Sequence, residues 1–293
     1  MKLADAYRAP GLTISFELYP PKTDAAEAEL FQHVAELIKF EPAYLTCTYG
    51  AGGSTRDKTL SIVGRVRAEY QRPVAAHLTC VGSTVDQIRA YLVEAQRHGV
   101  DHIVALRGDP PAGEKSFRAV EGGLSYANEL VRLIREEFPH FGVAVAGYPE
   151  KHQEAPSLEA DLANLARKVA AGADIVITQL FYDNADFFRF RDRAGELGIN
   201  VPLVPGILPI TNFAQIKRIT SLCGAKLPAG LVDKLTALGD DTAGQFAAGV
   251  EFATRQVEEL IASGVPGVHF YVLNKSQATA EVLEAIGQTK VKS

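Results

Sequence analysis

The stretch Ile14-Ser15-Phe16-Glu17-Leu18-Tyr19-Pro20-Pro21 alternates apolar and polar residues and then halts at two prolines. A period of two marks a strand with one face on a core, and a proline pair ends it. Ile14, Phe16 and Leu18 therefore face a packed layer, while Ser15 and Glu17 point the other way. A carboxylate on the inner parity of a first strand is costly unless something there uses it.

Working outward, further strand-sized runs are predicted near 44–49, 74–80, 102–108, 142–148, 174–181, 201–207 and 267–273, with the opening strand at 14–19. Helical stretches lie between them. Asp24, Thr84 and Ser157 stand as N-cap residues, and Gly99 and Gly172 sit where helices stop. Strands alternating with helices predict a parallel sheet, and this strand count closes a TIM (β/α)8 barrel. Between the seventh and eighth strands the spacing predicts extra helices over 212–224 and 241–264, with a third around Gly230. We read residues 1–293 as one α/β domain.

Composition narrows the function. A 293-residue chain that is 47% hydrophobic can bury one large core. Its net charge of −5, with no basic patch, argues against nucleic acid as a partner. No apolar run approaches the roughly 20 residues of a membrane-spanning helix, and Met1–Leu12 lacks the apolar stretch of a secretory signal, so a cytoplasmic location is expected. Cys47, Cys80 and Cys223 are scattered, which reads as thiols without a metal or a disulfide. Oligomeric state is left open, a homo-oligomer included.

Polar residues cluster where strands end: Glu17, Thr48, His77, Arg107, Asp109, Tyr148 and Gln179. In a parallel barrel those ends open on one face, so these side chains should meet there. The same parity count groups His77 with Thr79, Arg107 with Asp109, and Thr46 with Thr48. Desolvation at the rim would raise the pKa of Glu17 and make it an acid near neutral pH; an ion pair with a nearby Arg or Lys is the alternative. Arg107-Gly108-Asp109 is either a ligand approach or an internal ion pair. The run Tyr49-Gly50-Ala51-Gly52-Gly53-Ser54-Thr55 is either a phosphate cradle or a tight turn. Asp161, Asn164 and Lys168 share one helix face, as a solvated stripe or as a site for a long ligand. His77 and His152 suit hydrogen bonding, whereas His33, His98, His102 and His140 read as surface or helix-end residues. Two rivals from other classes are a flavin-free lyase or isomerase using Glu17 and Asp109, against which the missing catalytic Lys or metal cluster counts, and a non-catalytic scaffold, which has no reason to retain Glu17, Asp109 and Gln179 together.

The motifs SFELYPPKT, TYGAGGSTRD, AHLTC, LRGDPP, YPEKHQEA, ITQLFYD, PGILPITNF and HFYVLNK occur in this order. Together they make the chain, from about Ser15 to Lys275, resemble bacterial methylenetetrahydrofolate reductases of the catalytic-domain-only type, without the adenosylmethionine-binding regulatory domain of eukaryotic relatives. The resemblance implies a flavoprotein barrel in which NADH or NADPH reduces FAD and the flavin then reduces 5,10-methylenetetrahydrofolate to 5-methyltetrahydrofolate, in ping-pong fashion. By the same resemblance Glu17 is the general acid and Asp109 the carboxylate near flavin and pterin. FAD contacts are implied for Thr48, Tyr49, Ala51, His77, Arg107, Gly108, Asp109, Tyr126, Ala127, Tyr148, His152, Asp161, Asn164 and Lys168. Substrate contacts are implied for Glu17, Asp109, Gln179, Gln215 and Lys275. Two positions depart from the pattern: Ile219 stands where some relatives carry Phe, and Lys275 where some carry Arg. A relative that is flavin-free, or that draws electrons from a partner subunit, is the alternative within the family.

Overall fold

The structure, a computed structural model, describes residues 3–49, 56–110 and 117–291. The strands are β1 (Thr13–Leu18), β2 (Tyr44–Cys47), β3 (Val74–Thr79), β4 (His102–Leu106), β5 (Gly142–Gly147), β6 (Ile175–Thr178), β7 (Leu203–Val204), β8 (Gly206–Ile207) and β9 (Gly267–Tyr271). All pair in parallel in the order β7-β6-β5-β4-β3-β2-β1-β9-β8. The two ends of that order are one piece of chain, because only Pro205 separates β7 from β8. Proline has no N–H for the ladder, so the expected seventh strand breaks there. Its carbonyl still accepts from the His269 N–H at 2.9 Å, and the barrel closes.

Among the described residues the α-helices are α1 (Asp24–Ile38), α2 (Arg56–Tyr70), α3 (Val85–Arg97), α4 (Ala127–Glu137), α5 (Leu158–Ala170), α6 (Asn184–Glu196), α7 (Phe213–Cys223), α8 (Ala229–Ala237), α9 (Thr242–Ala262) and α10 (Gln277–Ala285). The caps are chemical. Thr84 and Gln87 form a capping box on α3, and Ser157 accepts from the Ala160 N–H to open α5. Helix α1 begins one residue away from the expectation: Thr23 is its cap, accepting from the Ala26 N–H, and Asp24 is the first helical residue. The three extra helices expected before the last strand are α7, α8 and α9, packed on one another through Ile216, Leu231, Leu235 and Ala248.

Strand parity is as expected. Ile14, Phe16 and Leu18 join the layer between barrel and helices. A separate cluster fills the barrel itself: Tyr44, Ala75, Val104, Ala144, Ile175, Ile177 and Val204, closed at the amino-terminal end of the strands by Leu3, Ala6 and Tyr7 of a 3-10 helix, Leu3–Tyr7. That helix is a plug. Thr13 Oγ1 donates to the Ala6 carbonyl at 2.7 Å and ties it to β1. His102, expected at the surface, lies inside the barrel at 3% exposure against the Tyr44 ring. Burial pushes its pKa down to about 4. The inner parity of β4 decided its placement, and its position at a strand start disguised it.

Candidate active site

Register sets the heights of the side chains at the open end. Glu17 of β1 is level with Thr46 of β2 and Tyr271 of β9, and all three belong to the inner parity. His77 reaches the same space from β3. Glu17 Oε2 lies 3.3 Å from His77 Nε2 and 3.8 Å from His269 Nε2. Among the described residues the carboxylate has neither the Arg nor the Lys partner that the alternative reading required. It sits between two imidazoles.

That arrangement reverses the expected electrostatics. Burial alone pushes the Glu17 carboxyl up, but the His269 and His77 rings together outweigh it and hold the group down to about 2. The raised pKa expected from the sequence is therefore corrected for this state of the mouth. The same buried carboxylate adds to the burial that lifts the Cys47 thiol and the Tyr271 phenol well above their ordinary values.

Around this centre the expected site residues divide. Thr48 and Tyr49 follow β2; the Thr48 carbonyl accepts from Thr59 Oγ1 at 2.8 Å, and the Tyr49 hydroxyl accepts from Arg56 Nε at 3.2 Å. Ala51 lies outside the described residues. Arg107 follows β4 and pairs in a fork with Glu154, at 2.7 and 2.9 Å, rather than with Asp109, which stands exposed at the rim. Between them Gly108 has φ +90°, and a Cβ there would come within 2.8 Å of Val81 Cγ1, so only glycine fits. Tyr126 caps α4 with 60% of its surface open, next to Ala127.

The stripe on α5 is not a uniform solvated face. Asp161 is buried and its Oδ2 accepts from the His152 N–H at 2.8 Å. Lys168 donates to the Ala146 carbonyl at 2.5 Å, and burial pushes its pKa down to about 8. Asn164 is exposed and holds Arg167. Tyr148 packs edge-on against His152, their ring centres 4.7 Å apart, and burial raises its phenol. Farther round the rim, Gln179 folds its Oε1 onto the Leu180 N–H at 2.9 Å, Gln215 is exposed in the first turn of α7, and Lys275 is exposed beyond β9. Ile219 is half-buried and packs against the cluster formed by α7, α8 and α9.

Sequence reasoning passed over His269 and Ser15. His269 is fully buried, and its Nδ1 meets Ser15 Oγ at 2.8 Å. The signal was present: a histidine on the inner parity of the last strand, beside a first strand that carries serine and glutamate on its own inner face. The Nε2 atoms of His77 and His269 face the Glu17 carboxylate, while Thr46 Oγ1 and Thr79 Oγ1 are buried without a hydrogen-bond partner among the described residues. Such groups are expensive to leave bare and suit a polar ligand. A groove of about 400 Å³ lies at the opposite end of the barrel near Leu12 and Phe40, away from this chemistry.

A (β/α)8 barrel with a carboxylate set between two imidazoles at its carboxyl-terminal mouth is the class that fold and site define. The chain belongs to the methylenetetrahydrofolate reductase family, whose sequence profile matches residues 2–287. It is 38% identical to the 5,10-methylenetetrahydrofolate reductase of Escherichia coli over 276 residues, covering 94% of this chain and 91% of that protein. It is 38% identical to methylenetetrahydrofolate reductase (NADH) 1 of Arabidopsis thaliana over 283 residues, covering 93% of this chain but 48% of that one. The chain thus spans about half the length of its plant relatives. In fold it is similar to a Clostridium thermocellum protein that binds two copies of 5-methyl-5,6,7,8-tetrahydrofolic acid, with a TM-score of 0.64 at 15% identity, covering 97% and 98% of the two chains. Among the described residues no helix is long and apolar enough to cross a membrane.

Proposed function

We propose that this chain is a cytoplasmic enzyme that reduces 5,10-methylenetetrahydrofolate to 5-methyltetrahydrofolate, with NADH or NADPH as the electron source and FAD as resident cofactor. The observation that carries the reading is Glu17, a half-buried carboxylate between two imidazoles at the mouth of a barrel whose sequence matches this family over its length. The related reductases named above and the folate-binding barrel of the same fold support the substrate class.

The mouth has the donor set that FAD needs. The unpartnered Thr46 and Thr79 hydroxyls lie beside it, Gly108 leaves backbone open to a ring, and Arg107 and Lys168 offer cations for a diphosphate. Thr48, Tyr49, His77, Arg107, Gly108, Asp109, Tyr126, Ala127, Tyr148, His152, Asp161, Asn164 and Lys168 would hold it, with Ala51 alongside. Bound there, FAD would supply the hydride chemistry, accepting from nicotinamide and giving to folate.

The protein's own task is proton placement. Opening the five-membered ring of the folate needs a proton on the leaving nitrogen, and Glu17 is the acid in reach of the mouth. It must first gain that proton. Burial is the largest single influence on Glu17 and pushes upward. A planar ligand covering the mouth would remove the remaining water contact of a side chain that is 19% exposed, and one that engages His77 would weaken the opposing pull. Asp109 would orient the folate, Gln179 would serve folate and nicotinamide in turn, and Gln215 and Lys275 would steady the folate tail. Anaerobic absorbance tests the reading: a flavin spectrum that bleaches with NADH or NADPH and returns with methylenetetrahydrofolate is expected. A colourless chain, or a yellow one that neither nicotinamide bleaches, would refute it.

A further inference from the structure

A carboxylate with no part in the chemistry above holds the forked cation of the mouth. Arg107 gives Glu154 both of its terminal nitrogens, Nη1 to Oε2 at 2.7 Å and Nη2 to Oε1 at 2.9 Å. A guanidinium grips a phosphate with the same planar fork, so a carboxylate and a phosphate that both want it are rivals. Lys168, the other cation named for a diphosphate, donates to the Ala146 carbonyl instead.

Arg107 has supports of its own. Its Nε donates to the Gly108 carbonyl at 3.2 Å, and its guanidinium lies over the Phe117 ring, 5.2 Å from the centroid. Those contacts keep the group aimed while its terminal nitrogens change partner. The loop that carries Glu154 is fixed as well. Lys151, at φ +112°, folds its ammonium onto the carbonyls of His152, Gln153 and Ala155 at 3.0, 3.3 and 2.6 Å. The Gln153 amide donates to the Leu222 carbonyl at 2.7 Å, and the His152 N–H is held by Asp161. With the loop pinned in this way, a departing Glu154 needs only a side-chain rotation into water. Its side chain is 43% exposed, against 23% for Arg107.

We propose that Glu154 competes with the FAD diphosphate for the Arg107 fork and thereby limits how tightly this protein holds its cofactor. The proposal rests on the reading of Arg107 as a diphosphate contact. A diphosphate brings further negative charge to a rim that already carries Glu154, Asp109 and Asp161. Its place on Arg107 is open in the fraction of molecules whose Glu154 has turned away, and the apparent affinity falls by that fraction. A residue that merely supported Arg107 would act with the opposite sign, because its loss would weaken binding.

Flavin fluorescence titrations of the flavin-free full chain test this. Glu154→Gln keeps the size of an exposed side chain and removes its charge. It should bind FAD about three- to fivefold more tightly than the parent, the worth of a well-formed exposed ion pair. Stopped-flow mixing should place that gain in the association rate, with dissociation nearly unchanged. ADP, which carries the diphosphate without the flavin, should show the same gain by calorimetry. In an Arg107→Met background the gain should vanish for both probes, because the carboxylate acts through the fork. FAD binding that is unchanged or weaker in Glu154→Gln overturns the proposal. A gain that persists in Arg107→Met would mean general repulsion between anions and overturns it too. If the parent binds ADP and shows the gain but takes no FAD, the competition for a diphosphate stands and only the cofactor reading is refuted; a parent that binds neither probe overturns both.

Discussion

Glu17→Gln preserves the volume of the side chain and removes both its charge and its transferable proton. For stability, a carboxyl held from 4.5 down to about 2 contributes about 3 kcal/mol at most at neutral pH. The side chain is 19% exposed, and the glutamine amide retains some contact with the imidazoles, so a loss of roughly 1–3 kcal/mol is expected. The sign follows from linkage. A depressed carboxyl stabilises the fold above its unfolded pKa, and that contribution disappears as pH falls from about 4.5 toward 2. Urea melts of parent and variant should therefore differ near pH 7 and converge on acidification. For catalysis, loss of a general acid costs about 10²–10⁴-fold, or about 3–5 kcal/mol, and only in the step that needs a proton. Stopped-flow absorbance should show bleaching by nicotinamide within a few-fold of the parent and a return with methylenetetrahydrofolate slowed by at least a hundredfold. Reoxidation at the parent rate would refute the acid assignment. A stability difference that is constant with pH would refute the electrostatics.

Lys168, held at about 8, loses its proton through the mildly alkaline range. If its charge grips FAD, affinity for added FAD should weaken about tenfold between pH 7 and 9 in the parent, and Lys168→Met should bind weakly with a flat profile by fluorescence titration. Gly249 of α9 presses on the loop before α7, where a Cβ would stand 1.8 Å from the Ile210 carbonyl oxygen. Gly249→Ala should cost about 2–3 kcal/mol or more in urea melts. Lys275→Arg restores a bidentate fork at an exposed lip position and should lower the KM for folate several-fold while leaving kcat alone.

Legibility in the sequence tracked the range of the interaction. The parity that sends Phe16 under the helices and Glu17 into the barrel is a property of six consecutive residues, and it could be read directly. So could the caps at Thr84 and Ser157. The seventh strand was legible as a strand but not as a broken one, because whether Pro205 interrupts or merely bends it depends on β6 and β9 beside it. His102 was misread because a histidine at a strand start looks alike whether it faces solvent or the barrel axis. The Asp161–Lys168 stripe had a visible spacing, but the burial of Asp161 and the seating of Lys168 on the Ala146 carbonyl of β5 depend on parts of the chain outside the helix.

By itself the sequence determined which residues alternate, which helices begin where, and that a row of polar side chains sits at strand ends. Those are consequences of local sterics and of a hydrophobic period. Only the closed barrel decided the charge state of Glu17, because the rings that oppose its desolvation come from β3 and from β9, the last strand of the sheet. Proton affinity depends on distances of a few ångströms between groups far apart in the chain. No local pattern encodes those distances, and closure of the sheet sets them.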